Sequence, residues 1–516
     1  MREESVHEEP VREEPVREEP ADDAKGRGRI LIASNRGPVS FSRAEDGELT
    51  AKRGGGGVVS GLSSVASNED LLWVCAALSD ADRAAARQAK DGMLDLDGHP
   101  GGTAVQMLGI SPSTFSRAYN TVANSVLWFI HHMLYDTPNR PQFGLGFRRD
   151  WAAYRDYNRA FAEALATAST GARARAVIQD YHLTLAPRML AELRPEVRIA
   201  HFSHTPWAPV DYFRLLPDSV AAEVLTGILG ADHAGFLSQR WANAFMDCCE
   251  HVLGATADRD KQVVSYAGHR TGIGVHPLGV NAGELINRAA QADVEMRISV
   301  LREAIGDRKL IVRVDRTELS KNILRGLTAY REFLLSYPEW RGKVMLLAFA
   351  YPSRHDLPEY REYTASVQRL ARAIDDEFGS ADWTPILLHT EDDYARSLAG
   401  YRLADVLLVN PIRDGMNLVA KEGPILSDRC CALVLSREAG AADELAEDAL
   451  MINPYDISAT AAALHEALLM SDAERERRCR ALAAAGSAVP PTAWFNSQLA
   501  ALDGQVPSEA SLGRPG

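Results

Sequence analysis

"DVLLVNPIRDGMNLVAKE", residues 405–422, decides the fold. It opens as an apolar run of strand length, passes through a polar turn, and ends in a segment of helix-forming composition. An apolar run without alternation fits a parallel strand buried on both faces. A strand that hands over to a helix through a polar turn is half of a βαβ unit. The turn would hold Arg413 and Asp414 at the strand's carboxyl end, with Glu422 on the helix beyond. The first N–H groups of a helix lack partners within it, so the amides of Gly415, Met416, Asn417 and Leu418 would be free for oxygen ligands. Taken alone, the two carboxylates fit an acid/base pair, a ligand cradle or simply the start of a helix.

The same texture recurs on both sides. Apolar runs stand at 30–34 (ILIAS), 176–180, 198–204, 234–238, 309–315, 343–350, 385–390, 431–436 and 449–453. Amphipathic segments such as 322–338 and 457–470 lie between them. This alternation predicts an α/β fold of two Rossmann-like, doubly wound parallel-sheet domains facing a central cleft, where such sheets bind ligands. The expected division is a disordered acidic repeat tail at 1–26 and a first domain at 27–279. A second domain follows at 280–487, then a helix at 488–503 that completes the first domain and a flexible tail at 504–516. In the first tail, "VHEEPVREEPVREEP" places Pro at every fifth position, which blocks a continuous helix and offers no apolar face.

A formal net charge of −14 argues against nucleic acid or an anionic membrane as a partner through bulk charge. The N-terminus has no apolar signal run, and no apolar stretch approaches the ~20 residues of a membrane span, so the expected location is cytoplasmic. The six cysteines make no metal-ligand spacing and read as small apolar core residues. Whether copies of the chain associate into a homo-oligomer is left open.

The chemistry is carried by polar groups just past strand ends. Arg36 follows the first run, and glycines 54–57 follow it in turn, suited to a phosphate-binding turn or to a flexible one. Asp180, His182 and His204 end successive runs. Arg316 and Lys321 sit just past another, at the opening of a helix, where two cations can clamp a diphosphate. Arg354 ends the run after that. The stretch "LDLDGHPGGT" (94–103) echoes a phosphatase nucleophile motif but lacks the apolar strand that must feed it, and reads as a polar turn.

In order along the chain, "SNRGP", "GGGGVVSGL", "YNTVANSVLW", "QDYHL", "HTPW", "VDRTELSKN", "YPSR" and "RDGMNLVAKE" resemble the trehalose-6-phosphate synthases, retaining glucosyltransferases of the two-Rossmann GT-B architecture. The resemblance covers about residues 28–503. It implies that Arg316 and Lys321, helped by the Gly57 amide, bind the donor diphosphate. It implies that Asp414 and the amides of Gly415, Met416 and Asn417 hold the donor glucose, with the Leu418 amide on the distal phosphate and Glu422 on the ribose. It places His204 beside the donor sugar and Asp180 on the acceptor glucose, both counted with Arg316 and Lys321 as catalytic, and Arg36, Tyr119, Trp128 and Arg354 around the acceptor and its 6-phosphate. The implied reaction is front-face attack, the leaving phosphate taking the acceptor's proton, so no carboxylate is assigned as nucleophile and no cofactor or metal is called for.

Two departures from the family pattern are expected to be tolerated, the second because it keeps the Arg–Lys spacing, and a third is more informative. "QDYHL" replaces "HDYHL", and "LSKN" stands where "YSKG" is common. At the expected base-binding edge, Glu391, Asp392 and Asp393 cluster. A carboxylate can accept from guanine N1–H and N2–H₂, which uracil does not offer, so GDP-glucose is expected over UDP-glucose. The same acids also suit a helix N-cap. Competing readings are a related synthase acting on glycerol 3-phosphate or a cyclitol phosphate, and a non-catalytic sensor of sugar phosphates.

Overall fold

The computed structural model describes residues 29–44, 46–53, 71–94, 104–170, 174–354 and 356–504. The repeat tail 1–26, the glycine run with Gly57, and residues 505–516 lie outside these. In chain order the strands are β1 (Ile30–Ser34), β2 (Val39–Arg43), β3 (Leu49–Arg53), β4 (Leu71–Ala76), β5 (Met93–Leu94), β6 (Ala104–Leu108), β7 (Arg175–Gln179), β8 (Arg198–Ser203) and β9 (His233–Phe236). They continue as β10 (Thr256–Asp258), β11 (Val263–Tyr266), β12 (His269–Val275), β13 (Lys309–Arg316), β14 (Val344–Tyr351), β15 (Ile386–His389), β16 (Val406–Val409), β17 (Ala432–Ser436) and β18 (Leu450–Ile452).

Two sheets hold nearly all of them; β2 and β3 form a separate hairpin. The first sheet runs β10-β11-β12-β9-β8-β7-β1-β4-β6-β5. Its central strands, β6-β4-β1-β7-β8-β9, are mutually parallel. The second sheet is β15-β14-β13-β16-β17-β18, parallel throughout. Renumbered in order of appearance, each parallel set reads 3-2-1-4-5-6, the doubly wound order that leaves a crevice where the winding reverses. That reversal falls between β1 and β7 in one sheet and between β13 and β16 in the other.

Every apolar run singled out in the sequence is a strand. The structure adds β4, whose six residues are all buried, and β6, whose half-buried pattern hides it from a search for continuous runs. The meander β10–β12 escapes for a similar reason: its edge position leaves most residues partly exposed, and Thr, Ser and Arg interrupt the apolar signal.

The chain crosses between the sheets twice. Gly279 N–H donates to Val489 O (2.9 Å) and Val280 N–H to Gly486 O (3.0 Å), so the two crossings are tied to each other. The helix Pro491–Leu502 then returns to the first sheet, with the Trp494 ring edge-on to Phe202 at 5.0 Å. Five cysteines are buried and Cys430 is half-buried, all as free thiols. Among the described residues, no helix is long and apolar enough to cross a membrane.

Candidate active site

The switch point of the second sheet gathers the cations and the Asp-Gly-Met-Asn turn. β13 pairs with β14 over eight residues and ends at Arg316, opposite Tyr351. A short 3₁₀ turn, Leu319–Lys321, precedes the helix Ile323–Ser336, so Lys321 stands a little before the helix rather than on it. From there Lys321 Nζ reaches across the switch point to Asp414 Oδ2 at 2.5 Å. Asn417 Nδ2 donates to the same oxygen at 3.0 Å. Lys321 is held charged: burial pushes its pKa down, but Asp414, Asp315 and Glu318 together raise it.

The helix carrying Glu422 begins at Val419, later than the sequence suggests, because Asn417 takes a left-handed φ of 77°. The amides of residues 415–418 therefore belong to an irregular loop. The loop is pinned on its other atoms: Asp414 N–H donates to Glu438 O, Gly440 N–H to Asp414 O, and Ala441 N–H to Met416 O. None of the amides of Gly415, Met416, Asn417 and Leu418 donates to any protein acceptor among the described residues. Four adjacent free donors beside a Lys–Asp pair form a fixed receptor for oxygen atoms. Gly415 is required there, since a Cβ would lie 1.9 Å from His204 O. Glu422 accepts from Tyr401 Oη at 3.2 Å, and burial raises its pKa.

The switch point of the first sheet holds the other set. Asp180 follows β7 with φ 72°, and its Oδ1 accepts from His204 N–H at 3.1 Å. Burial pushes Asp180 up to about 6 despite backbone hydrogen bonds and the Arg354 charge. His204 is pushed down to about 3 by burial, so its ring is neutral; Nε2 lies 2.7 Å from Gln179 Oε1. Tyr119 and Trp128 come from one helical stretch whose hydrogen bonds loosen to π geometry over Ser116–Leu127. Tyr119 stacks on His182 at 5.5 Å. Arg354, at φ 47°, lays its guanidinium over the Trp128 ring at 3.9 Å and donates to the Tyr360 and Tyr181 hydroxyls. Arg36 is exposed, and its charge is felt at His182. Residues held in uncommon backbone conformations at a cleft, here Asp180, Arg354 and Asn417, mark a site built at some cost in strain.

The two sets meet. Arg413 Nη2 donates to Trp207 O (2.8 Å), and its guanidinium sits over the Trp241 ring at 4.5 Å. Trp241 Nε1 donates to Gly415 O at 3.0 Å. Glu318 pairs with both Arg316 and Arg354. Burial raises Glu318, but Arg316, Arg354 and Lys321 outweigh it and hold the carboxyl at about 2. The motifs give Glu318 and Tyr181 no role, though each stands near a residue they single out, and Gln179, the departure in "QDYHL", is the partner of the His204 ring. At the acidic edge, Asp393 caps the helix Tyr394–Leu403 and pairs with Arg297 and Arg396, while Glu391 and Asp392 are exposed. Among the described residues no group of His, Cys, Asp and Glu is arranged to hold a metal ion.

The chain can now be set beside known proteins. Residues 28–503 match the pattern of glycosyltransferase family 20. A bifunctional trehalose-6-phosphate synthase/phosphatase of Thermoproteus tenax is 33% identical over 464 residues, 88% of this chain but 60% of that protein. The chain thus spans less than two thirds of that longer relative. An alpha,alpha-trehalose-phosphate synthase [UDP-forming] 2 of Aspergillus fumigatus is 33% identical over 490 residues, 93% of this chain and 98% of its own. A solved structure described as trehalose-6-phosphate from E. coli bound with UDP-2-fluoro glucose superposes with a TM-score of 0.80 at 27% identity, covering 93% of this chain and 99% of that one. A Burkholderia xenovorans alpha,alpha-trehalose-phosphate synthase (UDP-forming) in complex with glucose-6-phosphate gives 0.79 at 26%, covering 92% and 100%. These likenesses extend across both sheets and both switch points, and the chain belongs to glycosyltransferase family 20.

Proposed function

We propose that the protein transfers glucose, with retention, from a nucleoside diphosphate glucose to glucose 6-phosphate, giving α,α-trehalose 6-phosphate. The observation that carries this reading is the row of four unpaired amides at 415–418 beside the Lys321–Asp414 pair. In this reading Asp414 and those amides grip the sugar hydroxyls and distal phosphate, Glu422 takes the ribose, and Arg316 and Lys321 neutralise the diphosphate. Arg36, Arg354, Tyr119, Trp128 and Asp180 receive the acceptor, and neutral His204 lines the sugar between them. The bond from the donor's anomeric carbon to phosphate oxygen breaks as the bond to the acceptor's anomeric oxygen forms. The acceptor proton passes to the departing phosphate. Charge stabilisation at that phosphate is the main catalytic contribution, so Arg316 and Lys321 rank as catalytic residues. The division into a 27–279 unit completed by the 488–503 helix and a 280–487 unit belongs to the same proposal; the acceptor then lies mainly on the first unit, with Arg354 reaching it from the second, where the donor sits.

The relatives named above are UDP-forming where a base is given, and a GDP-glucose preference finds no support in them. One observation favours guanine: Glu391 and Asp392 remain exposed at the edge beyond β15, after Asp393 is taken by its helix cap. Initial rates with UDP-glucose and GDP-glucose at equal concentration, read as nucleoside diphosphate release, separate the two. A UDP-glucose preference removes the guanine reading and leaves the transfer intact. Product mass spectrometry with glucose 6-phosphate, glycerol 3-phosphate and a cyclitol phosphate in competition tests the acceptor. No glucosyl product with any of them, under either donor, would leave only a sugar-phosphate sensor.

A further inference from the structure

Glu318 is wholly sealed from solvent, yet neither substrate subsite uses it. Its Oε1 lies 2.9 Å from Arg316 Nη1 and 3.7 Å from Arg354 Nη1, and accepts from Ser353 Oγ at 2.8 Å. Its Oε2 is buried without a partner. One carboxylate oxygen therefore faces two guanidiniums, one from each proposed subsite. The contacts are unequal. Arg316 is about half exposed and holds the short one, whereas Arg354 is nearly buried and holds the long one. The backbone fixes the carboxylate, since Glu318 N–H donates to Arg316 O at 2.7 Å and Thr317 N–H to Tyr351 O at 2.6 Å.

We infer that Glu318 is a positioning residue that couples the two subsites, so that a diphosphate engaging Arg316 fixes Arg354 for the acceptor phosphate. The inference rests on the assignment of those two arginines made above. A diphosphate at Arg316 competes with Glu318 for that guanidinium. A buried carboxylate deprived of one cation is costly to leave unpaired, so it draws on the other. The longer contact to Arg354 closes, and the guanidinium is held over Trp128 in one orientation. Ordering a binding group in advance lowers the cost of the next binding step. Linkage makes the effect reciprocal: glucose 6-phosphate tightens the diphosphate by the same factor. A carboxylate that only neutralised Arg354 would support stability without linking the two ligands.

The test measures dissociation constants of UDP and of glucose 6-phosphate by calorimetry, each alone and with the other saturating. In the wild type each ligand is expected to tighten the other by about fivefold, within the usual range of coupling energies. Glu318→Gln should bring that factor to about one and lower kcat more than it raises either KM. Glu318→Asp, which keeps the charge, should restore much of both. If Glu318→Gln fails to fold, Ser353→Ala removes the hydrogen bond to the same oxygen and should reduce the factor. A wild-type factor of one, or the same factor in the wild type and the variant, overturns the inference. Arg316→Ala and Arg354→Ala report separately on the assignment beneath it. If Arg316→Ala binds UDP as the wild type does, or Arg354→Ala binds glucose 6-phosphate unchanged, the subsites themselves are misassigned.

Discussion

At the scale of single residues, the site depends on charges held where water would ordinarily disperse them. Lys321 is the clearest case, because it pairs with Asp414 and, in the proposed reaction, neutralises the departing phosphate. Lys321→Ala removes a cation from the leaving group and frees Asp414 from its partner. A loss of about 10²–10³-fold in kcat is expected, the scale of removing one preorganised stabilising group, and single-turnover rates check it. Asp180 gives a pH dependence with a definite sign. Its pKa is raised from 3.8 to about 6, so it becomes protonated as pH falls through 6. If it accepts from acceptor hydroxyls, kcat/KM for glucose 6-phosphate should fall below about pH 6. A phosphate monoester also ionises near pH 6, so the substrate contributes to the same limb. Asp180→Asn isolates that contribution: its profile should keep the substrate's ionisation and lose the enzyme's. The same shift acts on stability. The raised pKa favours the fold most below 3.8, and that contribution is lost as pH rises through 6. Between pH 4 and 7 the wild type should thus lose stability relative to the Asn variant, as read by urea unfolding.

At the scale of elements, function sits in the loops that follow parallel strands, and those loops are shaped by what touches them. Gly415 lies against His204 O so closely that an added Cβ would stand 1.9 Å from it, backbone against backbone. Gly415→Ala should therefore displace the amide row and reduce kcat/KM by about 10²-fold, the effect expected of a misplacement near 1 Å. Circular dichroism should remain that of the wild type. Asp393 is the opposite kind of residue, since its carboxylate accepts from Arg396 N–H at 2.9 Å as a helix cap. Asp393→Ala should cost about 1 kcal/mol of stability and leave the ratio of UDP-glucose to GDP-glucose rates unchanged. Much of this was legible beforehand. Polar residues just past apolar runs place Asp180, His204, Arg316, Arg354 and Asp414 at strand ends, because a buried parallel strand must be apolar and polar side chains gather where it stops. Glu318 was not legible, and Gln179 only as a departure from the family pattern, because their contacts are made with partners far away in sequence. Glu318 and Arg354 are brought together only by the eight-residue register of β13 on β14. The free amides at 415–418 were anticipated for the wrong local reason: they arise from a loop bent at Asn417 and not from a helix end.

At the scale of the whole molecule, two sheets of the same winding order place their switch points against each other, and the chain joins them by two crossings bonded side by side. Gly279 lies at the centre of that junction. An added Cβ there would meet Val489 O at 2.4 Å and Gly486 O at 2.9 Å, both backbone atoms with no freedom to turn aside. The hydrogen bonds Gly279 N–H to Val489 O and Val280 N–H to Gly486 O hold the crossings in register. Lys421, next to Glu422, ties the helix Val419–Leu426 to the same junction by donating to Leu278 O at 3.0 Å. A change at Gly279 therefore acts outside each sheet's core and alters how the 414–418 loop meets the residues of the first switch point. Gly279→Ala should lower kcat/KM for both substrates by about 10-fold to 10²-fold, since small misalignments far from the chemistry are costly when reacting atoms must be held in contact. Each sheet should still unfold cooperatively. Gly283→Ala provides the control. It lies four residues on, in the first turn of the helix Ala282–Ala289, where an added Cβ meets only Asn281 Oδ1 at 3.6 Å. That variant should be as active as the wild type and more stable by up to about 1 kcal/mol. Equal activity of the two variants would mean that the paired crossings do not set the alignment of the two halves.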